Sequence, residues 1–243
     1  MEVSLLALET ATDHCSVALL RGLQPEVSFT LSRPRAHAEH LIPLVQSALL
    51  FAALPPDQVG VVAVSMGPGS YTGLRIGVSA AKGFALAMDA RLIGIPTLEA
   101  LAEPLLSFAS AKDVLCATLH ARRGECYIAA FEALEEGLQP LKPTAVVALD
   151  RLADWLPEGR GGRYWFTGNA SREVLACLAP EARAEAFVAP PGFAFPTASA
   201  VARLAQKKMM ANDYENVSTF EPLYLKAFIA RTSDRSVYDR LPF

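Results

Sequence analysis

Residues 61–94, VVAVSMGPGSYTGLRIGVSAAKGFALAMDARLIG, decide the fold. Residues 61–65 form a β-branched run that reads as a strand. Gly67-Pro68-Gly69 turns the chain, residues 71–89 read as a long helix of small side chains, and residues 91–95 are apolar again. Strand, turn, helix and strand in this order make the crossover of a parallel sheet. The turn has two readings. Gly67 and Gly69 permit backbone approach that a side chain would block, and Ser70 or Thr72 can cap a helix whose N-terminus attracts anions. The loop is therefore either a tight strand-to-helix turn or a phosphate contact. It is not a Walker P-loop, because no lysine follows Gly73.

In the helix that follows, Gly73, Gly77, Ala81 and Ala85 recur every fourth residue and make a flat row flanked by Leu74, Val78, Phe84 and Met88. Ile76, Ala80, Gly83 and Ala87 extend the apolar surface on the other side, leaving Arg75, Ser79, Lys82 and Asp89 a narrow polar wedge. That arc is wider than the stripe of about 100° that faces one sheet. Glycine inside a helix also costs about 1 kcal/mol relative to alanine. Close packing by a second helix accounts for both, supplied either by this chain or by another protein. We read the row as a protein–protein interface.

Working outward, residues 4–9, 15–21 and 26–31 read as strands, followed by a helix near 36–54 with Leu41, Leu44, Val45, Ala48 and Leu49 on its apolar face. Pro43 should kink that helix or delay its start. A helix near 98–109 closes the first half. The pattern then restarts, with strands at 114–119, 125–131, 144–148 and 165–167 and helices near 171–178 and 196–210. Three strands lead into α/β material twice, which divides the chain into lobes at 1–110 and 111–243, the terminal helix free to cross back. Two α/β lobes with a cleft between them are the actin-like ATPase architecture, also called ASKHA or ribonuclease H-like.

Composition excludes several classes. The chain has 243 residues, 52% of them hydrophobic, enough for a sizeable core. A net charge of −3 with no basic block argues against strong nucleic-acid binding by this chain alone. The four cysteines, Cys15, Cys116, Cys126 and Cys177, have no zinc spacing and read as small buried hydrophobes in a reducing compartment. With no signal h-region and no apolar run of membrane length, the expectation is a cytoplasmic protein.

The segments LALETATDHCSVALL, RAHAEHLIPLVQSALL, VSMGPGSYTGLRIGVSAAKGFA, GIPTLEALA, HARRGECYIAAF and PLYLKAF follow one another as in the TsaB family, also called YeaZ, which the chain resembles over nearly its whole length. The resemblance implies an actin-like fold and a non-catalytic paralogue of TsaD. TsaD transfers threonylcarbamoyl to N6 of adenosine 37 in tRNAs reading ANN codons, with TsaE as the ATPase of the set. It also implies docking to TsaD through helices of the first lobe, a homodimer through the same surface when TsaD is absent, contact with tRNA only through the complex, and ATP or ADP with Mg only in the complex. The residues expected at the interface are Gly73, Leu74, Gly77, Val78, Ala81, Phe84, Ala85, Leu41, Leu44 and Leu49. A nucleotide or phosphate in the cleft would meet Glu9, Thr10, Gly67, Gly69 and Ser70.

TsaD-like proteins carry a His-x-Glu-Gly-His run after the strand that follows the GPG helix. The matching stretch here, GIPTLEALAEPL, has no histidine, so neither a metal site nor a catalytic residue is expected. HAEH at 37–40 lies before the loop and reads as a solvated helix start. Three departures from the family stand out: Glu9 for the usual Asp, His120 for the usual Asp before Ala-Arg, and Lys226 for the closing Arg. GRGGR at 159–163 reads as a loop, and Asn169 or Ser171 as a helix N-cap. The rival readings are an independent actin-like kinase or ATPase using Glu9 and the glycine loops, a metalloprotease, and a pure homodimer with a separate regulatory role.

Overall fold

The computed structural model describes residues 3–22, 24–122, 124–157 and 162–225. Lys226, Arg123, the tail at 231–243 and most of the GRGGR loop lie outside them. Ser4–Glu9 (β1) has no exposed side chain, as expected of a central strand covered on both faces. His14–Arg21 (β2) and Gln24–Ser32 (β3) continue from it as an antiparallel meander. Val59–Gly67 (β4) then pairs parallel with β1, and Arg91–Pro96 (β5) parallel with β4. The order is β3-β2-β1-β4-β5.

The same plan repeats. Val114–His120 (β6), Glu125–Leu134 (β7) and Gly137–Ala148 (β8) form a meander. Tyr164–Thr167 (β9) and Ala186–Val188 (β10) add in parallel, giving β8-β7-β6-β9-β10. Each sheet thus reads third, second, first, fourth, fifth in its own strand order, with matching senses. This doubled ribonuclease H-like plan is the α/β, actin-like fold expected from the sequence.

Alternation along β1 separates two cores. Leu6 and Leu8 pack with Leu41 and Val45 of His37–Phe51 (α1) and with Val78 and Ala81 of Tyr71–Ala87 (α2). Leu5 and Ala7 face the other way. Thr97–Ala102 (α3) carries Ala100 into that second core. Leu152–Trp155 (α4), Ser171–Ala176 (α5) and Pro180–Ala184 (α6) belong to the second sheet's surroundings. The last helix, Ala198–Met210 (α7), returns to the first sheet and covers Leu5, Ala7, Val61 and Ile93 with Val201 and Ala205. Arg203 on α7 is held bidentately by Glu103 at 2.7 and 2.5 Å. Among the described residues no helix is long and apolar enough to cross a membrane.

Several boundaries differ from the sequence reading, each for a local reason. The helix α1 starts before Pro43 and runs through it. Pro43 and Glu39, whose carbonyl loses its helical donor to the ring, are both on the exposed side. The helix expected to reach residue 109 ends as α at Ala102, and Glu103–Ser107 is a 3-10 turn with Pro104 near its start. Strand β8 begins at Gly137, seven residues earlier than expected, because an edge strand tolerates Pro140 and Pro143. Cys15, Cys116 and Cys126 are buried, whereas Cys177 is exposed just past α5.

The largest correction concerns α2. Its row of small residues packs against the chain's own sheet. Gly73, Leu74, Gly77, Val78, Ala81 and Ala85 are all buried in this chain alone, as are Leu41 and Leu49 on α1. A Cβ at Gly73 would collide with the Thr10 carbonyl, and one at Gly77 with the Thr10 hydroxyl. The glycines let α2 close onto the end of β1, where Thr10 Oγ1 donates to the Gly73 carbonyl at 2.8 Å. Of the expected interface residues only Leu44 and Phe84 keep part of their surface. Gly83 is the exception among the helix glycines, since nothing lies within 4 Å of a Cβ placed there. Gly83→Ala should therefore raise stability by about 0.5–1 kcal/mol, read as a higher urea midpoint at unchanged slope.

Candidate functional site

Two surfaces have the makings of a site: the cleft between the sheets and the outward face of α1 and α2. The cleft holds a cavity of about 370 Å³. Its walls come from the turn after β1 (Ala11 to Asp13), the Pro68–Tyr71 loop, the loop after β6 with His120 and Arg122, Asn169, and Leu223 to Leu225.

Of the five residues expected to meet a phosphate there, Gly69 and Ser70 line the cavity and three do not. Glu9 is fully buried. Its Oε1 accepts from the Ala11 amide at 2.6 Å and its Oε2 from the Ser65 hydroxyl of β4, so the carboxyl holds the turn after β1 and points into the fold. Burial pushes its pKa up from 4.5 to about 7, against the lowering effect of those hydrogen bonds. Neighbouring Cys15 is pushed up to about 11 by burial and by Glu9. Thr10 is likewise buried and donates to α2.

Gly67 is buried, with φ +121°, and follows the same inward pattern. Its amide donates to Thr97 Oγ1 at 3.1 Å, and a Cβ there would sit 2.5 Å from the Leu223 carbonyl. The Ser70 amide donates to the Ala11 carbonyl at 2.7 Å, and Ser70 Oγ caps α2 by accepting from Gly73 N at 3.2 Å. These three donors tie the loop to the turn after β1, to the start of α3 and to its own helix.

On the second sheet, neither Asn169 nor Ser171 caps α5; its N-cap is Ala170, without a side-chain bond. Asn169 Oδ1 accepts instead from the His120 amide at 2.8 Å, clamping the end of β6. The His120 ring lies 3.7 Å from Glu173. His37 of the HAEH stretch is buried, not solvated, with Nε2 3.1 Å from the His14 carbonyl.

The helical face differs in character from the cleft. Leu50 and Phe51 at the end of α1 are 78% and 74% exposed, and Leu86 near the end of α2 is 73% exposed. Ile42 on α1 is exposed too, while Ile76, Ala80 and Phe84 on α2 are partly covered by the core they border. Leu50, Phe51 and Leu86 are thus the most open large apolar side chains on these two helices, the Phe51 ring also meeting Phe29 of β3 edge-on at 5.7 Å between centroids.

With this geometry established, the comparisons fall into place. The family model described as "TsaD: tRNA N6-adenosine threonylcarbamoyltransferase" matches residues 4–233. The chain is 35% identical over 170 residues to "tRNA threonylcarbamoyladenosine biosynthesis protein TsaB" of Escherichia coli K12, covering 66% of this chain and 73% of that protein. The chain belongs to the TsaB (YeaZ) family. The Haemophilus influenzae TsaB is 36% identical over 126 residues, 51% of this chain and 52% of the relative, so that alignment spans about half of the relative's length. YeaZ from Pseudomonas aeruginosa superposes with a TM-score of 0.80 at 24% identity, over 92% of this chain and all of that one, and so shares the fold.

Sequence reasoning missed the inward turn of Glu9, the clamp by Asn169 and the wall built by Leu223 to Leu225. The first had a signal in side-chain length, a glutamate at the end of β1 being long enough to reach Ser65, and the third in the PLYLKAF stretch, which contains Leu223 to Leu225.

Proposed function

We propose that this TsaB-family chain is a non-catalytic docking subunit in tRNA threonylcarbamoyladenosine biosynthesis, the process that its relatives' names carry. Its partner is TsaD, which presents helices of its own first lobe to α1 and α2, and TsaE joins the assembly. The observation that carries this reading is the exposure of large apolar side chains on both helices, Leu50 and Phe51 on α1 and Leu86 on α2. None of these three side chains belongs to the small-residue row. The same face serves a homodimer when TsaD is absent.

A second observation weighs against an independent kinase or ATPase. The acid at the end of β1 would have to approach a nucleotide-bound cation. Here it is buried, bonded to Ala11 and Ser65, and biased toward its neutral form. A buried, half-neutral carboxyl is a poor ligand for a hard cation. ATP or ADP with Mg is therefore assigned to the assembled complex, and tRNA contact likewise.

Light scattering on this chain alone and mixed with TsaD from the same organism tests the reading. A one-to-one complex should form at the expense of the homodimer. Leu50→Glu and Leu86→Glu sit on open surface and should leave the fold intact, yet each should weaken the complex by roughly thirtyfold or more. Unchanged affinity in both variants would move the interface elsewhere. ATP turnover by the purified chain alone would favour the kinase.

A further inference from the structure

Residues 215–225 follow α7 without regular structure, yet they run a defined course over the first sheet. The Glu215 amide donates to the Leu92 carbonyl at 2.8 Å, making a single antiparallel bridge on the edge strand β5. Lys82 of α2 then reaches across and donates to the carbonyls of Phe220 at 2.9 Å and Ser218 at 3.2 Å. The Phe220 ring is buried over Gly94, where a Cβ would strike it. The Leu223 amide donates to the Met66 carbonyl at 2.7 Å, and the Tyr224 ring lies on the ring of Tyr71, 4.7 Å between centroids. The segment ends as a wall of the cleft.

Its attachment is slight beside what it covers. Phe220 is the only one of these eleven residues that is buried. Strands β1 and β4, by contrast, are bonded on both edges and covered on both faces. A segment held by one buried ring, a tyrosine pair, the half-buried Val217, a few hydrogen bonds and a lysine opens at lower free energy than the sheet beneath it.

We infer that residues 215–225 are a strap over the mouth of the cleft, fastened by Lys82, which lifts as a unit while the rest of the fold stays closed. Lifting removes Leu223 from above Gly67 and Tyr224 from Tyr71, and so opens the cleft on the side of the Pro68–Tyr71 loop. Because α2 carries both Lys82 and the exposed Leu86, one helix serves strap and outward face. The inference itself concerns the chain alone and does not depend on the docking reading.

Native-state hydrogen exchange on the full chain tests it. The Glu215 and Leu223 amides should exchange together, faster than those of Leu6 and Val62 in β1 and β4. Lys82→Met keeps the helix and the side-chain stem but removes the donor. It should speed strap exchange by about tenfold, the effect of about one charge-assisted hydrogen bond, and keep the strap amides exchanging well ahead of Leu6 and Val62. Phe220→Leu should do the same from the other anchor. Strap amides that exchange at the sheet's rate would overturn the proposal, because the segment would then be a fixed part of the core. So would strap rates untouched by either substitution, since the fastening would then lie elsewhere.

Discussion

Glu9→Gln should make the protein more stable at pH 8–9, by about 3 kcal/mol, and leave it nearly unchanged near pH 4.5. In the unfolded chain this carboxyl ionises at its ordinary value of 4.5, whereas burial holds the folded value at about 7. Between those values the native state retains a proton that the unfolded state has released. Stability therefore falls as pH rises from about 4.5 through about 7 and is level above that. About 2.5 pH units at 1.36 kcal/mol each set the size of the loss. Glutamine removes the titration and keeps the contacts: its carbonyl accepts from Ala11, and its amide donates to Ser65 Oγ, which reverses its role. Urea midpoints of both proteins at pH 4.5 and pH 8.5 provide the measurement. A variant less stable than the parent at pH 8.5 would mean that the fold prefers the charged carboxylate.

Gly73→Ala should act in the opposite direction to Gly83→Ala, although both sit in α2. Helix propensity alone favours alanine by about 1 kcal/mol at either position. At Gly73 the new methyl group meets the Thr10 carbonyl, a backbone atom in a fully buried strand end that cannot step aside. Overpacking of this kind costs about 1–3 kcal/mol, and displacing the helix also breaks the Thr10 to Gly73 hydrogen bond, worth about 1 kcal/mol. The net expectation is a loss of about 1–3 kcal/mol, seen as a lower urea midpoint. A neutral result would show that α2 is free to shift outward, and that the tight seat on β1 is not what the glycines serve.

These two positions also show what the amino-acid sequence can and cannot tell. Spacing of four identified the small-residue row and its purpose, the close approach of a neighbour. Periodicity names a face of a helix but not what that face meets, and the neighbour is Thr10 at the end of β1 rather than another protein. The repeated lobe was legible because strand-strand-strand followed by α/β units recurs in order, and hydrophobic alternation is a local property. The match of the two strand orders was not legible, since pairing is between distant segments. In the cleft, Gly69 and Ser70 were found because turn residues announce themselves. Residues 215–225 were not, since an irregular segment with one buried ring has no period to detect. Asn169 looked like a cap on local grounds, and a partner 49 positions away, the His120 amide, took its oxygen instead.

The return of α7 to the first sheet has a consequence for synthesis. Strands β1 to β5 are complete once Pro96 has been made, but the helix that covers their second face starts at Ala198, about 100 residues later. At roughly 5–20 residues per second, the apolar surface of Leu5, Ala7, Val61 and Ile93 waits on the order of ten seconds for its cover. A nascent chain in that interval is a natural client for a chaperone. A fragment cut before α7 would keep that surface exposed, however well its sheet pairs.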